Sequence, residues 1–461
     1  MKKLSILFLA MTIVYAQLLV ASTPTALPKF TGPDSLTLNP DSLRMRLLES
    51  NIAITQGLNS VKDGKDGISV ARGNLLPSIN LGGMLGGGGG SFLLTTVQFL
   101  LPFLFPSNWF AYKAAKDTFE ADKLAFLVLE LNTYSSALSI YYTYLADSEA
   151  QSVYQAAADD YAKLAKIQKA SATVGTVAQN DVLQTEAQAH TSNVQASNLV
   201  QLNDSELSNV RLALKLPLKT KISFDPNIMP ASPWEDKDIQ LTVDQANTIA
   251  PEHAQIGYLV KVAKSKKWST VFGWINGFTL SGSSSKASSG AMQSAGFSNM
   301  AVAGQVSLGF ALFPQIRIAN RNIQEVALMD DELVGSNTQV IESAMKSLHE
   351  AKIQFDEASK AEKEMTTVYK IKAKVFSLGM ETLTDVLIAR TQLASVSVAR
   401  ITAQLNLNMQ RMVLHRTLLT DEFSKIKGCT MDATKAAAQK GKLSLDLLCR
   451  PEAPVPAKGK G

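Results

Sequence analysis

The chain carries one phrase twice. Around Gly175 it reads GTVAQNDVLQTEAQ, and around Gly379 it reads GMETLTDVLIARTQ. Gly175, Asp181, Val182, Leu183 and Gln188 return as Gly379, Asp385, Val386, Leu387 and Gln392, at a constant offset of 204 (379 − 175). A repeat of that period makes the chain two similar halves of one body, where a length of 461 alone would suggest about three domains.

Each half has the same order of elements. Asn39-Pro40-Asp41 opens a helix that runs to about Asn74, and Pro77 ends it. Residues 78–85 alternate as a strand, with Ile79, Leu81 and Leu85 on one face. Five glycines, Gly86 to Gly90, form a turn, and residues 92–101 return as the partner strand. A phosphate loop is excluded, because no Gly-Lys-Ser/Thr comes after the glycines and the next element is a strand. In the second half a helix spans 241–267, a strand 270–280, a Ser/Gly/Ala loop 281–293 and a long alternating strand 297–313. Both hairpins, 77–105 and 269–313, end on Phe-Pro, at Phe105-Pro106 and Phe313-Pro314.

The stretch after each hairpin is extreme. Residues 107–173 contain neither proline nor glycine, and residues 315–377 contain only Gly335. At ~1.5 Å per residue each stretch would reach roughly 90 to 100 Å as a helix. Rods of that length pack along one another rather than inside a globule. Each leads to its copy of the repeated glycine and to a return helix, ending near Leu216 and near Thr420. The returns are rich in Gln, Asn, Ala, Ser and Thr. That mixture suits walls packed side by side and wet on one face; a plain antiparallel helical hairpin is the alternative.

The remaining segments bound the function. Lys2, Lys3 and the apolar run 4–14 make residues 1–21 a secretory signal, cleaved after Ala16 or, preferred here, after Ala21. Residues 22–39 read as a flexible lead-in, 217–240 as a Pro-rich connector, and 421–461 as a tail. The repeats then occupy 40–216 and 241–420. Cys429 and Cys449 are the only cysteines, and in an exported chain an even count suggests one disulfide closing a loop of the tail. No other segment has the ~20 apolar residues of a spanning helix. The net charge of +5 is too small to imply nucleic acid, and the four histidines share no metal-ligand spacing. No nucleophile, base and oxyanion set suggests an enzyme, and no cofactor motif is present.

Four strands per chain cannot close a barrel across lipid, where even small barrels use about eight and open edges are forbidden. Three chains would share twelve. The expected fold is therefore mainly α with a small antiparallel β part: duplicated helix, hairpin, long helix and helix units, contributing four strands to a twelve-stranded trimeric barrel continued by a long α-helical barrel. This plan resembles the TolC family of outer-membrane channel proteins. Leu75-Leu76-Pro77-Ser78, the two Phe-Pro steps and Gly…Asp-Val-Leu…Gln in each half carry the resemblance, which covers most of residues 40–420.

The resemblance implies a homotrimeric duct in outer-membrane lipid, docked to a periplasmic adaptor and an inner-membrane transporter, passively conducting drugs, metals or proteins without a cofactor. It places Gly175, Thr176, Val177, Gly379 and Met380 at tip turns that contact the adaptor. It places Asp385, Asp181, Glu381 and Ile388 at the periplasmic aperture. Ile388 stands where the family has a second aperture acid, and Glu381 where a relative has a basic gate-locking residue. Asp181 and Asp385 also suit the electropositive first turn of a helix. Trp109, Tyr112, Trp268 and Trp274 form either an interfacial aromatic girdle or packing beneath the barrel. A secreted coiled-coil or adhesion protein without a pore is the alternative, and membrane fractionation separates the two.

Overall fold

The computed structural model describes residues 33–76, 105–174, 178–273, 278–282, 300–304 and 312–428. The signal segment, the first hairpin, the first tip glycine with its two successors, Trp274 and both cysteines lie outside the described residues.

The described chain is mostly helical. Strand β1 is Ser35–Leu38, followed by helices α1 (Pro40–Ser50) and α2 (Ile52–Gly73). The long α3 (Pro106–Thr173) and its return α4 (Gln179–Ala213) complete the first half. Strand β2 (Lys221–Phe224) precedes α5 (Ile239–Ile249) and α6 (Pro251–Phe272). Strands β3 (Phe278–Gly282) and β4 (Met300–Gly304) lead to the long α7 (Leu312–Ser377) and its return α8 (Leu383–Thr417). A short 3-10 helix, Asp421–Lys425, comes last. Among the described residues no helix is long and apolar enough to cross a membrane.

Helices α3 and α7 are two rods of 68 and 66 residues, each about 100 Å long. Shorter helices fill the space between and beside them. Near the strands, α2 flanks α3, and α6 lies between α3 and α7. Near the opposite end, α4 flanks α3, and α8 lies between α3 and α7. The result is one layer, α2–α3–α6–α7 at one end and α4–α3–α8–α7 at the other.

Several elements differ from their sequence reading. The helix expected from Asp41 to Asn74 breaks at Asn51, whose backbone is extended (φ −64°, ψ 134°). Its side chain accepts from the N–H groups of Ala53 and Ile54 and donates to the Ala213 carbonyl, so local capping outcompetes helix continuity. The matching helix of the second half breaks before Pro251, for the backbone reason that disfavours helical geometry in the residue preceding proline. It then runs on to Phe272, through the start of the strand expected at 270. Phe272 stacks on Phe110 and Trp268 there, and this tertiary packing overrides β propensity. Strands β3 and β4 pair antiparallel in the register Phe278↔Gly304, which takes Ser281 and Gly282 out of the expected loop. Leu312 and Phe313, expected in a strand, open α7.

The end of the flexible lead-in also differs from its reading, because it forms a strand with part of the connector. Ser35–Leu38 pairs in parallel with Lys221–Phe224, so the small β part is not wholly antiparallel. The pair sits on a hub of three fully buried tyrosines in the middle of α3. The Tyr134 hydroxyl donates to the Pro40 carbonyl (3.1 Å), Tyr141 to the Asp225 carbonyl and Tyr142 to Met229 Sδ (3.3 Å). Burial of their rings drives the packing, and the hydroxyls fix which chain segment lies on each.

The start of the tail closes over the same hub. Phe423 is fully buried edge-on to Tyr134, with centroids 5.0 Å apart. Gly428 has φ +55° and lies so close to α3 that a Cβ there would stand 2.9 Å from the Cβ of Leu127. Beside it burial pushes the Glu130 carboxyl up to about 8, although the Gly428 N–H pulls the other way. Glu206 is pushed up to about 7 by burial and by Asp147 beside it.

A carboxyl that stays protonated when folded but ionises at about 4.5 when unfolded binds more protons in the native state between those values. Stability therefore falls as pH rises through the window from about 4.5 to about 8. We expect urea midpoints to fall between pH ~5 and pH ~8.5, and Glu130→Gln to reduce that fall. An unchanged pH slope in the variant would refute the role of Glu130.

Candidate functional site at the helix reversals

At the end far from the strands, α7 turns into α8 within five residues. Gly379 takes φ +76°, which costs glycine little and other residues much. Its N–H donates to the Phe376 carbonyl (2.9 Å), and the Met380 N–H to the Val375 carbonyl (3.2 Å). These two bonds form a Schellman motif, which satisfies carbonyls the helix end would otherwise leave open.

Thr382 then caps α8. The Asp385 N–H donates to Thr382 Oγ1 (3.2 Å), and the Thr382 hydroxyl donates back to the Asp385 carboxylate. Asp385 is thus part of a reciprocal cap in the electropositive first turn, the chemically plain role its position allows. Lys372, almost two turns up α7, reaches across the reversal. Its Nζ lies 2.8 Å from Glu381 Oε1 and 3.7 Å from Asp385 Oδ1. The Glu381 carboxylate holds the Lys372 ammonium above its ordinary range.

In the first half, Asp181 occupies the first turn of α4, half-buried, and its N–H donates to the Ala178 carbonyl (3.1 Å). Gly175, Thr176 and Val177 lie outside the described residues. Sequence shows how far the copies have diverged. At the offset of 204, Lys372 corresponds to Gln168, Glu381 to Val177 and Thr382 to Ala178. The charged clamp therefore belongs to one reversal of the two.

The surface around the turns is apolar. Met380 is 70% exposed, Leu378 63%, Val174 78% and Ile388 50%. Asp385 and Ile388 lie three residues apart on one face of α8, so a charged position is succeeded by an exposed apolar one.

Deeper along α8 a second polar group joins three helices. Arg390 is buried, and its Nε donates to Asp160 Oδ2 of α3 at 2.8 Å. The guanidinium also lies 5.4 Å from the ring centre of Tyr369 on α7. Tyr161 and Thr391 share a hydroxyl hydrogen bond of 2.8 Å beside it. Burial first, then the Asp160 carboxylate, pushes the Tyr369 phenol up to about 12. Higher still, Arg400 pairs with Glu149 of α3 and with Glu362 of α7.

Sequence reading found the glycine and the aspartate, but missed Lys372, Arg390, Asp160 and Tyr369. A usable signal existed in the repeat itself. Arg390 corresponds to Glu186, so charge inverts at one repeat position, which marks a contact made in one half only.

Residues 43–214 match the family model described as outer membrane efflux protein. No curated protein matches the chain. Among solved structures, the CmeC outer membrane channel of Campylobacter jejuni is similar with a TM-score of 0.60 at 13% identity, over 84% of this chain and 88% of that one. The outer membrane protein VceC of Vibrio cholerae gives 0.59 at 12%, over 82% and 95%. The open-state MtrE outer membrane channel of Neisseria gonorrhoeae gives 0.54 at 13%, over 82% and 88%. At these identities the likeness is one of fold.

Two substitutions separate the clamp from the deeper pair. Lys372→Gln should speed amide exchange in residues 380–386 severalfold and leave the global urea midpoint unchanged. Arg390→Ala removes a buried charged donor and should lower global stability by about 2 kcal/mol, read from the same urea curves. A global loss from the first, or none from the second, would reverse these assignments.

Proposed function

We propose that this chain, TolC-like in sequence over residues 43–214 and in fold over most of its length, is one third of an outer-membrane efflux or secretion channel. Three copies form a ring. Their strands make a shared twelve-stranded barrel in outer-membrane lipid, and their helices make a tube into the periplasm. Substrate passes through it passively, with a periplasmic adaptor and an inner-membrane transporter at the far end.

One observation carries the reading. The two rods are repeat counterparts of nearly equal length, yet nineteen residues of α3 are buried and only five of α7. Helix α3 has neighbours on both sides, whereas α7 lies at an edge of the layer. Along its length α7 exposes Leu328, Met329, Ile353 and Ile371, and α4, at the opposite edge of the layer, exposes Val194 and Leu202. Two different free edges, each bearing exposed apolar side chains, make a head-to-tail interface, which closes into a ring when the rotation between copies allows.

The reversals would lie at the periplasmic mouth, three carrying the Lys372–Glu381–Asp385 group and three without it. Each group has two carboxylates and one ammonium, so each copy adds negative charge near the axis. A ring of such charge attracts cations and resists constriction. The exposed apolar residues beside it, Leu378 and Met380, suit contact with the adaptor.

Wild-type protein is expected in the outer-membrane fraction, and in detergent it should have the mass of three chains. Replacing Ile353 and Ile371 of α7 with Glu should leave monomers. A wild-type monomer soluble without detergent would sink the proposal. In planar bilayers Asp385→Asn should weaken cation block, and conductance and block equal to wild type would remove Asp385 from the aperture.

A further inference from the structure

Three of the four helix ends nearest β3 and β4 carry charge of one sign, and the fourth, α2, mixes Asp63 and Asp66 with Lys62, Lys65 and Arg72. The segments 106–116 of α3, 261–273 through the end of α6 and 312–324 of α7 contain eight lysines and arginines and no aspartate or glutamate. They are Lys113 and Lys116, four lysines from Lys261 to Lys267, and Arg317 and Arg321. Aromatic rings are interleaved with them. Phe110, Trp268 and Phe272 form a stack with centroids 5.7 to 6.2 Å apart. Trp268 nevertheless remains 46% exposed. The Lys267 ammonium lies 5.8 Å from the Trp268 ring and that of Lys116 4.5 Å from the Tyr112 ring.

Between α6 and α7 this surface forms a recess of about 510 Å³, lined by Lys264, Lys267, Trp268, Asn320, Ile323 and Gln324. Two ammonium groups and two side-chain amides are donors suited to a phosphate. Ile323 and the indole offer an apolar wall to the group attached to it. The depth also fits. Lys267 and Trp268 lie four to five residues before Phe272, roughly 6 to 8 Å along the helix. The headgroup layer on each side of a bilayer's hydrocarbon core is about as thick.

We propose that this recess, with its aromatic and basic surround, seats the headgroup of an anionic phospholipid from the leaflet on the helical side of the barrel. The inference rests on the membrane orientation given under Proposed function. Lysine supplies the attraction to the lipid phosphate and excess negative charge, and the exposed indole marks the polar–apolar boundary. A lumen-facing role fits less well, because it would leave the indole edge in bulk water.

The test is native mass spectrometry of detergent-purified protein offered equimolar phosphatidylglycerol and phosphatidylcholine. Wild type is expected to retain phosphatidylglycerol about fivefold over phosphatidylcholine, and Lys264→Gln with Lys267→Gln should lose that preference. Lys166→Gln with Lys169→Gln makes the same charge change near the reversals and should keep it. Glutamine keeps helix propensity at these positions, and the detergent-solution mass checks assembly. Equal retention by wild type, or an unchanged preference in the Lys264/Lys267 variant, overturns the proposal. Full displacement of the lipid by inorganic phosphate would overturn it too, by assigning the recess to a free anion. Membrane fractionation of wild type is read alongside. Absence from the membrane defeats the orientation and the recess together, whereas presence without lipid preference defeats the recess alone.

Discussion

Two uninterrupted helices of nearly 70 residues have to be covered along their whole length, and no single core can do that. Helices α3 and α7 are held apart and bridged by α6 near the strands and by α8 near the reversals. The bridges explain why both halves use short helices in pairs. The breaks at Asn51 and before Pro251 fall at comparable places, where one neighbour of a rod hands over to another. The middle of α3 is the thickest part of the layer, and there the three tyrosines collect β1, β2 and the tail.

Helix α8 is held by polar chemistry more than its counterpart α4. Arg390, Arg400, Arg411 and Arg416 are spaced along it. They reach Asp160, then Glu149 and Glu362, then Glu235, and finally Glu252 with Asn132. Burying charge is costly unless it is paired, so a guanidinium with partners on both sides fixes helix register more than it adds stability. Small residues such as Ala389, Ala394 and Ser397 occupy the buried positions between them. Close approach and paired charge thus share the seam between the two halves.

Much of the helical plan was legible because its signals are local. Absence of proline and glycine sets the long helices, and Gly379 ends one of them. What escaped reading was mostly settled at a distance. Ser35–Leu38 is too short to read alone and becomes a strand through Lys221–Phe224, 186 residues later. Phe272 looks like a strand residue until Phe110 and Trp268 stack on it. At the reversal, Asp385 could be placed by its repeat. Lys372 could not, because its role depends on α7 and α8 lying side by side. Arg390 was hidden likewise, since its partners Asp160 and Tyr369 sit on two other helices.

The unequal chemistry of the two repeated phrases has a consequence for counting. Lysine against glutamine, glutamate against valine and threonine against alanine, with methionine against threonine and isoleucine against glutamine beside them, put a chemical label on one unit of the pair. A molecule that recognises only the exposed apolar residue before each glycine, Val174 or Leu378, finds two places per chain. One that recognises the charge finds a single place. The two kinds of recognition differ in stoichiometry by a factor of two, and they separate by ionic strength, since added salt weakens the labelled contact and spares the other.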